Sequence, residues 1–405
     1  MPQQLSHEQL VGLANRFGTP LYVYHAEKIK EQYEKLTTAF SQSDVTFFYA
    51  CKALTNINVL TYIKNLGANI DCSSINEVRM AREAGFTPDR ILYTSNGISF
   101  EEIEEAKEFG VHINIDSLSN LGKFGKKFGH SYPVGLRLRP NIMGGGNIKI
   151  STGHDKSKFG IPVDQVDKIL ALVKQYNIFV RDLHIHTGSD IQNADVFVKG
   201  IEVLFDLIPH FNELESIDLG GGFKVAYKEG EAEADIQILA KKVKEAFDNH
   251  PNPGGKHLRI WFEPGKFLVS EAGYFIGQVN VIKETSATTF ASLNTGFNHL
   301  IRPMFYDAYH RVQNISNPGG PLKHYTVAGN ICETDIFAWD RELTEVREGD
   351  FLVFYNAGAY GFEMSSNYNS RYKPAEVLVM DGQAHLIRER DVFEDLLRKQ
   401  KRVIK

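Results

Sequence analysis

Short apolar, β-branched segments alternate with amphipathic segments through the first two thirds of the chain. The segments recur about every 20 to 40 residues, a spacing typical of repeated strand–helix units. The predicted strands are Val45–Cys51, Ala68–Cys72, Ile91–Ser95, His112–Asp116, Val134–Pro140, Val180–Thr187, Ser216–Gly220 and Leu258–Glu263. Helical spacing of apolar residues predicts helices at Asn76–Ala84, Phe100–Phe109, Val163–Gln175, Val196–Phe211 and Ala234–His250. Eight such units predict an α/β fold, a (β/α)8 TIM-type barrel.

The rhythm of strands and helices stops after Glu263, and the rest of the chain reads as mostly β. Predicted strands there are Gly273–Glu284, Thr289–Leu293, His324–Val327, Asp350–Tyr355 and Ala375–Ile387, with a turn signal at Asp381-Gly382. Asp391–Leu397 reads as a short closing helix. The strand-like Pro20–Tyr24 precedes the barrel, and we expect it to join a C-terminal β-sandwich or β-barrel domain. The predicted domains are therefore a barrel over 26–270 and a discontinuous β domain over 1–25 and 271–405.

Polar and glycine residues stand where the predicted barrel strands end. In a (β/α)8 barrel these carboxyl ends meet on one face, which is where the active sites of such barrels lie. The residues at the ends are Lys52, Asp71-Cys72-Ser73, Ser95-Asn96, Asp116-Ser117, Arg137, Arg139, His184, His186, Gly220-Gly221-Gly222 and Glu263.

Lys52 is the candidate nucleophile at the end of the first strand. Burial there would favour the neutral amine, which can form a Schiff base. The alternative is that Lys52 simply marks where a strand runs out into water. Gly220-Gly221-Gly222 ends the seventh strand, either as a tight turn or as a nest of backbone N–H groups for an anion such as a cofactor phosphate.

Glu263 ends the eighth strand and has three possible functional roles: general base, metal ligand, or partner of a cofactor nitrogen. The alternative is a structural carboxylate paired with a neighbouring Arg. His184 and His186 share one face of the sixth strand, a spacing that suits metal ligation or stacking on an aromatic cofactor. The alternative is that each is an ordinary core histidine. Because no obvious set of His and carboxylate partners stands on neighbouring strands, we expect no metal site. Cys332 reads either as a small buried hydrophobe or as a proton donor exposed in a cleft.

Composition narrows the functional class. The 405 residues are 42% hydrophobic and 23% charged, which is ordinary for a globular protein. A net charge of −5 and the lack of a dense Lys/Arg stripe argue against a nucleic-acid partner. The sequence shows neither a signal peptide nor an apolar run long enough for a membrane span. Three cysteines, an odd number, favour a reducing cytoplasm.

Together these residues resemble the fold-type III pyridoxal phosphate decarboxylases, with their alanine racemase-like barrel, and within them the diaminopimelate decarboxylase branch. The similarity runs over nearly the whole chain in the family's order. The matching segments are Tyr49-Ala50-Cys51-Lys52-Ala53, Ser157-Lys158-Phe159-Gly160, His184–Ser189, Asp218–Gly222, Glu263–Lys266, Leu300-Ile301-Arg302-Pro303, Cys332-Glu333 and Gly358-Ala359-Tyr360-Gly361.

The resemblance implies pyridoxal 5'-phosphate as cofactor and two catalytic residues: Lys52, which carries it as a Schiff base, and Cys332, which protonates the substrate carbanion. His186 would stack on the pyridine ring, and Glu263 would hold its nitrogen. The implied cofactor-binding residues are Lys52, His186, Ser189, Gly222, Glu263, Gly265, Lys266 and Tyr360. The implied substrate-binding residues are Lys266, Arg302, Tyr306, Glu333 and Tyr360. In this family the active site spans a head-to-tail homodimer, so Cys332 would act from the partner subunit.

The expected reaction is decarboxylation of meso-2,6-diaminopimelate to L-lysine. Its substrate carries a distal ammonium and a distal carboxylate, which Glu333 and Arg302 would bind. The alternatives are a decarboxylase of another basic amino acid (ornithine, arginine, lysine or carboxynorspermidine type) and a non-catalytic regulator that binds the cofactor. Lys266 departs from the family, which usually has Arg there, and this leaves open how the phosphate or the distal carboxylate is held.

Overall fold

The computed structural model describes residues 4–142, 157–250 and 257–404. The chain divides into two compact units. The barrel unit comprises Gln32–Val225 with Ala232–Leu268, and the β unit comprises Met1–Glu31, Ala226–Glu231 and Val269–Lys405. The segment Ala226–Glu231, which the sequence assigned to the barrel, thus belongs to the β unit.

The barrel unit confirms the predicted (β/α)8 fold. Within the described residues, eight parallel strands follow the predicted order: Val45–Ala50, Asn69–Cys72, Ile91–Thr94, His112–Ile115, Val134–Arg139, Val180–Ile185, Ser216–Asp218 and Arg259–Phe262. The first strand pairs with both the second and the eighth, so the sheet closes on itself. Seven of these strands end one or two residues before the predicted boundary, and the second ends at Cys72 as predicted. A short strand, Ile161–Pro162, pairs with the fifth.

Helices follow the strands around the barrel. Their bounds are Ile57–Asn65, Ile75–Glu83, Phe100–Glu108, Leu118–Phe128, Val166–Tyr176, Asp195–Leu207, Ile236–Asn249 and the short Lys266–Val269, while Ala26–Ala39 crosses the boundary between the units. Side-chain caps fix several helix starts; Asp235, for example, accepts a hydrogen bond from the Ile238 N–H at 2.9 Å. In every barrel strand except Val134–Arg139, the last two residues are buried. This burial explains why these segments are apolar in the sequence.

The β unit is built on a nine-stranded sheet of described residues. Its strands are Leu21–His25, Gly273–Glu284, Thr289–Leu293, Val312–Asn314, Leu322–Ala328, Ile336–Thr344, Phe351–Phe354, Ala375–Met380 and Gln383–Arg388, and its helices are His7–Phe17, Arg302–Tyr306 and Phe393–Leu397. Leu21–His25 pairs antiparallel with Gly273–Glu284 and parallel with Ala375–Met380. The N-terminal strand therefore joins the β domain, as predicted.

Two differences from the prediction concern this sheet. The single segment Ala375–Ile387 is a hairpin of two strands, because Asp381 and Gly382 both adopt positive φ at the turn. The strands Val312–Asn314 and Ile336–Thr344 were not predicted. None of the helices in the described part of the chain combines the length and the hydropathy that a bilayer span requires.

Candidate active site

Lys52 lies just past the first barrel strand, in a single 3-10 turn, Cys51–Ala53. Its Nζ is 3.1 Å from Oδ2 of Asp71, at the end of the second strand. The Lys52 side chain is 43% exposed, so the expectation that burial makes the amine neutral was wrong. Burial instead acts on Asp71. Burial and the charge of Glu263 raise the pKa of that carboxyl, Lys52 opposes both, and the net pKa is about 7.

Glu263 lies next to two other buried side chains, His184 and Asp218. Its Oε2 is 3.5 Å from Nε2 of His184, and ligand atoms of all three residues lie within 4.8 Å of one another. The premise that neighbouring strands lack His and carboxylate partners was therefore wrong, because strands six, seven and eight each contribute one. A ligand set of suitable geometry exists here, although the same atoms also suit a cofactor ring nitrogen.

The protonation of this cluster follows from burial and mutual repulsion. Burial and the charge of Glu263 raise the pKa of Asp218 well above its usual range. Burial also raises the pKa of Glu263, but His184 and Lys52 outweigh it and bring that pKa below its ordinary value. Burial lowers the pKa of His184. The negative charge of the cluster at neutral pH is therefore concentrated on Glu263.

His186 stands beside the glycine turn of the seventh strand. Its Nδ1 accepts a hydrogen bond from the Gly221 N–H at 3.2 Å. Burial, reinforced by Arg137, lowers the pKa of His186 to about 3, so the ring is neutral at physiological pH. A neutral imidazole with one nitrogen fixed by the backbone is suited to stack on a flat cofactor.

The glycines after the seventh strand are required by close backbone packing. A Cβ on Gly221 would lie 2.1 Å from the Glu263 carbonyl oxygen, and one on Gly222 would lie 2.0 Å from that of Gly188. Gly220 and Gly222 also adopt positive φ, which favours glycine. This turn, made by Gly188 and Gly220–Gly222, is called the glycine cradle. The Gly220 and Gly221 N–H groups donate to Asp218 and His186, so Gly222 is the member of the triple glycine whose N–H suits an anion at the strand ends.

Lys266, at the start of the short helix after Glu263, forms an ion pair with Asp190. The Lys266 side chain is 9% exposed and that of Asp190 is 34% exposed. Ser189 precedes Asp190 and is half-buried. Gly265 packs against the end of the first strand, since a Cβ there would lie 3.1 Å from that of Ala50. The barrel unit thus brings Lys52, His186, Ser189, Gly222, Glu263, Gly265 and Lys266 to the carboxyl ends of its strands.

Sequence reasoning assigned no role to several charged residues at these ends. Arg137 is buried, and its guanidinium lies 4.7 Å from the ring centre of Phe159. Burial lowers the pKa of Arg137, and the charges of Glu263 and Asp116 oppose this most strongly. Asp71 and Asp218 were also missed as site residues, and His184 was considered only for metal ligation or stacking. Their position at strand ends was the available signal, but only the closed barrel shows which of them touch.

In the β unit, Arg302 is buried at the start of the helix Arg302–Tyr306. Its Nη2 is 3.4 Å from the hydroxyl of Tyr227, and its guanidinium lies 5.4 Å from the centre of that ring. The buried Nε has no hydrogen-bond partner among the described residues. Tyr306, at the other end of the helix, is half-buried and contacts the Phe305 ring.

Cys332 and Glu333 lie on an exposed turn of the β unit, which excludes the reading of Cys332 as a buried hydrophobe. Both residues are hydrogen-bonded to the turn Tyr368–Ser370. The Cys332 N–H donates to Oδ1 of Asn369 at 3.1 Å, and the Tyr368 hydroxyl donates to Oε1 of Glu333 at 3.2 Å. Tyr360 is half-buried and adopts φ +54°, an uncommon backbone conformation for an aromatic residue.

Comparisons with known proteins agree on one family. The family model described as "Pyridoxal-dependent decarboxylase, pyridoxal binding domain" matches residues 26–270. Diaminopimelate decarboxylase of Methanothermobacter thermautotrophicus is 40% identical over 400 residues, which cover 96% of this chain and 93% of that protein. That of Pseudomonas fluorescens is 35% identical over 96% of this chain and 94% of its own. The crystal structure of diaminopimelate decarboxylase from Helicobacter pylori complexed with L-lysine superposes with a TM-score of 0.88 at 30% identity, covering 96% of this chain and 98% of that one.

Proposed function

The chain belongs to the diaminopimelate decarboxylases, the pyridoxal-dependent enzymes that convert diaminopimelate to lysine and CO2, and we propose that it performs this reaction with the residues assembled at the carboxyl ends of its barrel strands. The observation that carries the proposal is the grouping of a lysine, an ionised carboxylate, a neutral imidazole and a glycine cradle on that one face. Each member supplies one feature that pyridoxal phosphate needs.

The residues present fit the cofactor. Oε1 of Glu263 is buried and has no hydrogen-bond partner among the described residues, which suits a ring N–H donor. The glycine cradle keeps its close backbone packing only because no Cβ is there. We therefore assign the aldehyde end to Lys52, the ring face to His186, the pyridine nitrogen to Glu263, and the phosphate to Ser189, Gly222, the Glu263–Lys266 segment with Gly265, and Tyr360.

Pyridoxal phosphate, when bound, supplies an electron sink for the pair of electrons left as the bond to CO2 breaks. Ionised Glu263 holds a proton at the pyridine nitrogen, which strengthens that sink. Asp71 holds the Lys52 ammonium when no cofactor occupies the site, and a raised pKa lets Asp71 accept a proton near neutral pH. Cys332 then delivers a proton from Sγ to the substrate's α-carbon, since its turn is accessible in the β unit.

Substrate selection rests on the charges of the β unit. The Arg302 guanidinium is buried and has no carboxylate partner among the described residues, an arrangement that is costly unless a ligand supplies the anion. We assign it to the substrate's distal carboxylate and Glu333 to the distal ammonium, with Tyr306, Tyr360 and Lys266 as further contacts. An ornithine-type substrate would leave Arg302 without its anion.

We propose that the active enzyme is a cytoplasmic homodimer in which Cys332 and Glu333 act on the partner's barrel. The exposure of both residues in their own unit and the family resemblance support this arrangement.

The test of the function has two readouts. Borohydride reduction of the cofactor-loaded protein followed by peptide mapping should place the pyridoxyl group on Lys52. CO2 release should then be compared for diaminopimelate, ornithine, lysine and arginine, and we expect diaminopimelate to be strongly preferred. Preference for ornithine or lysine would favour the alternative decarboxylase, and a Lys52 label without CO2 release from any substrate would favour a regulator.

A further inference from the structure

The ion pair between Lys266 and Asp190 is a feature of this chain that its assigned reaction does not explain. Lys266 Nζ contacts Oδ1 of Asp190, although the family resemblance gives Lys266 the task of binding an anion of the cofactor or substrate. An acidic side chain beside a phosphate site repels the phosphate, so its presence there needs a compensating role. The question is what Asp190 contributes.

Asp190 is anchored to the cradle by the backbone on either side of it. It adopts φ +60°, in the left-handed region that Asp tolerates better than most residues. The next residue, Ile191, donates its N–H to the carbonyl of Gly222 at 2.8 Å, and its own carbonyl accepts from the Lys224 N–H at 3.1 Å. The Asp190 carboxylate is therefore held at a fixed place at the edge of the glycine turn.

We propose that Asp190 is a positioning residue that holds the Lys266 ammonium at the phosphate cradle. This rests on the proposed assignment of the phosphate to that cradle. Lysine carries its charge on a flexible four-carbon stem and lacks the planar fork with which arginine fixes its own direction. An ammonium has three N–H donors, so it can bind Asp190 and a phosphate oxygen at the same time. Asp190 thus replaces the rigidity that the family's usual arginine provides.

The opposing effect is repulsion between Asp190 and the phosphate. Asp190 is 34% exposed, so water screens its charge, whereas Lys266 is 9% exposed and its attraction for the phosphate is screened less. The Lys266 ammonium that Asp190 contacts also offsets the negative charge of Asp190. Positioning therefore outweighs repulsion, and loss of the Asp190 charge weakens phosphate binding instead of strengthening it.

The experiment compares pyridoxal phosphate with pyridoxal, which lacks the phosphate. Cofactor-free protein is titrated with each compound, and binding is followed by the absorbance of the bound chromophore. Asp190→Asn should raise the Kd for pyridoxal phosphate about tenfold, the size expected for one charge-assisted hydrogen bond, and leave that for pyridoxal unchanged. Asp190→Glu should recover part of the loss. In a Lys266→Ala background, Asp190→Asn should have no further effect.

Asp195→Asn is the matched control, because Asp195 also pairs with a lysine, Lys242, but on the exposed surface of the same unit. Tighter binding of pyridoxal phosphate by Asp190→Asn would show that Asp190 acts by repulsion, and an undiminished effect without Lys266 would show that it acts independently; either overturns the proposal. Weaker binding of pyridoxal as well would mean general damage to the site and would also overturn it. Borohydride labelling of Lys52 tests the proposed function separately, so that function survives a negative result at Asp190.

Discussion

Gly221 offers a direct steric test of how the seventh and eighth barrel strands position Glu263. A Cβ at Gly221 would lie 2.1 Å from the Glu263 carbonyl oxygen and 2.9 Å from its carbonyl carbon, and both are backbone atoms that cannot rotate away. Gly221→Ala must therefore push the two strand ends apart by about 1 Å. A displacement of about 1 Å at a catalytic group costs about 100-fold in rate, and forced overpacking costs about 1–3 kcal/mol of stability.

We expect Gly221→Ala to lower kcat/KM for diaminopimelate about 100-fold and to lower the melting temperature of the cofactor-free protein. Gly122→Ala is the control within the same unit. Gly122 lies inside the helix Leu118–Phe128, and its added Cβ would meet only Leu172 Cδ2 at 3.7 Å, an ordinary contact. That variant should keep full activity and gain up to about 1 kcal/mol from helix propensity. Normal turnover and cofactor affinity in Gly221→Ala would refute the claim that this backbone contact positions Glu263.

Three further predictions concern charges and the assembly. Arg302→Leu should cost about 2–5 kcal/mol in kcat/KM with diaminopimelate and far less with ornithine; equal losses in the two steady-state assays would make Arg302 structural. Mixing inactive Lys52→Ala and Cys332→Ala chains should restore part of the CO2 release, and hybrids that exchange yet stay inactive would place each site within one subunit. Because the pKa of Asp71 is raised from 3.8 to about 7 on folding, its contribution makes stability fall as pH rises between those values. Asp71→Asn should therefore gain about 2–3 kcal/mol over wild type on going from pH 5 to pH 8 in urea unfolding of the cofactor-free protein, and a pH-independent difference would contradict the raised pKa.

The barrel was predictable because each of its strands is a short apolar run with polar residues at its carboxyl end. Val45–Ala50 and Val180–Ile185 show the pattern well, and the structure moves only their ends. The β unit was harder. Ile336–Thr344 carries exposed charged and aromatic residues at its centre and pairs on only one side, with Leu322–Ala328, so neither alternation nor a continuous apolar run marks it.

The site residues fall into two groups by how well the sequence indicates them. Lys52, His186 and Glu263 carry a signal, because each ends a predicted strand and matches a family segment. The contact between Lys266 and Asp190 carries none, since the two residues are 76 positions apart and only the closed barrel brings them together. The sequence does not indicate how exposed a side chain is. The wrong expectation for Lys52 is an example, because a lysine at a strand end is exposed or buried according to the loops that cover it.

The electrostatics of the strand ends explain why Glu263, among three neighbouring carboxyls, is suited to the cofactor nitrogen. Asp71, Asp218 and Glu263 are all buried and repel one another, so they cannot all be ionised at neutral pH. The pKa values of Asp71 and Asp218 are raised, while His184 and Lys52 keep that of Glu263 low. Glu263 is therefore the fully ionised carboxyl of the three at neutral pH, whereas Asp71, with a pKa of about 7, is only partly ionised. A carboxylate at the pyridine nitrogen keeps it protonated and the electron sink strong, as loss of CO2 requires; a cationic partner there would weaken the sink.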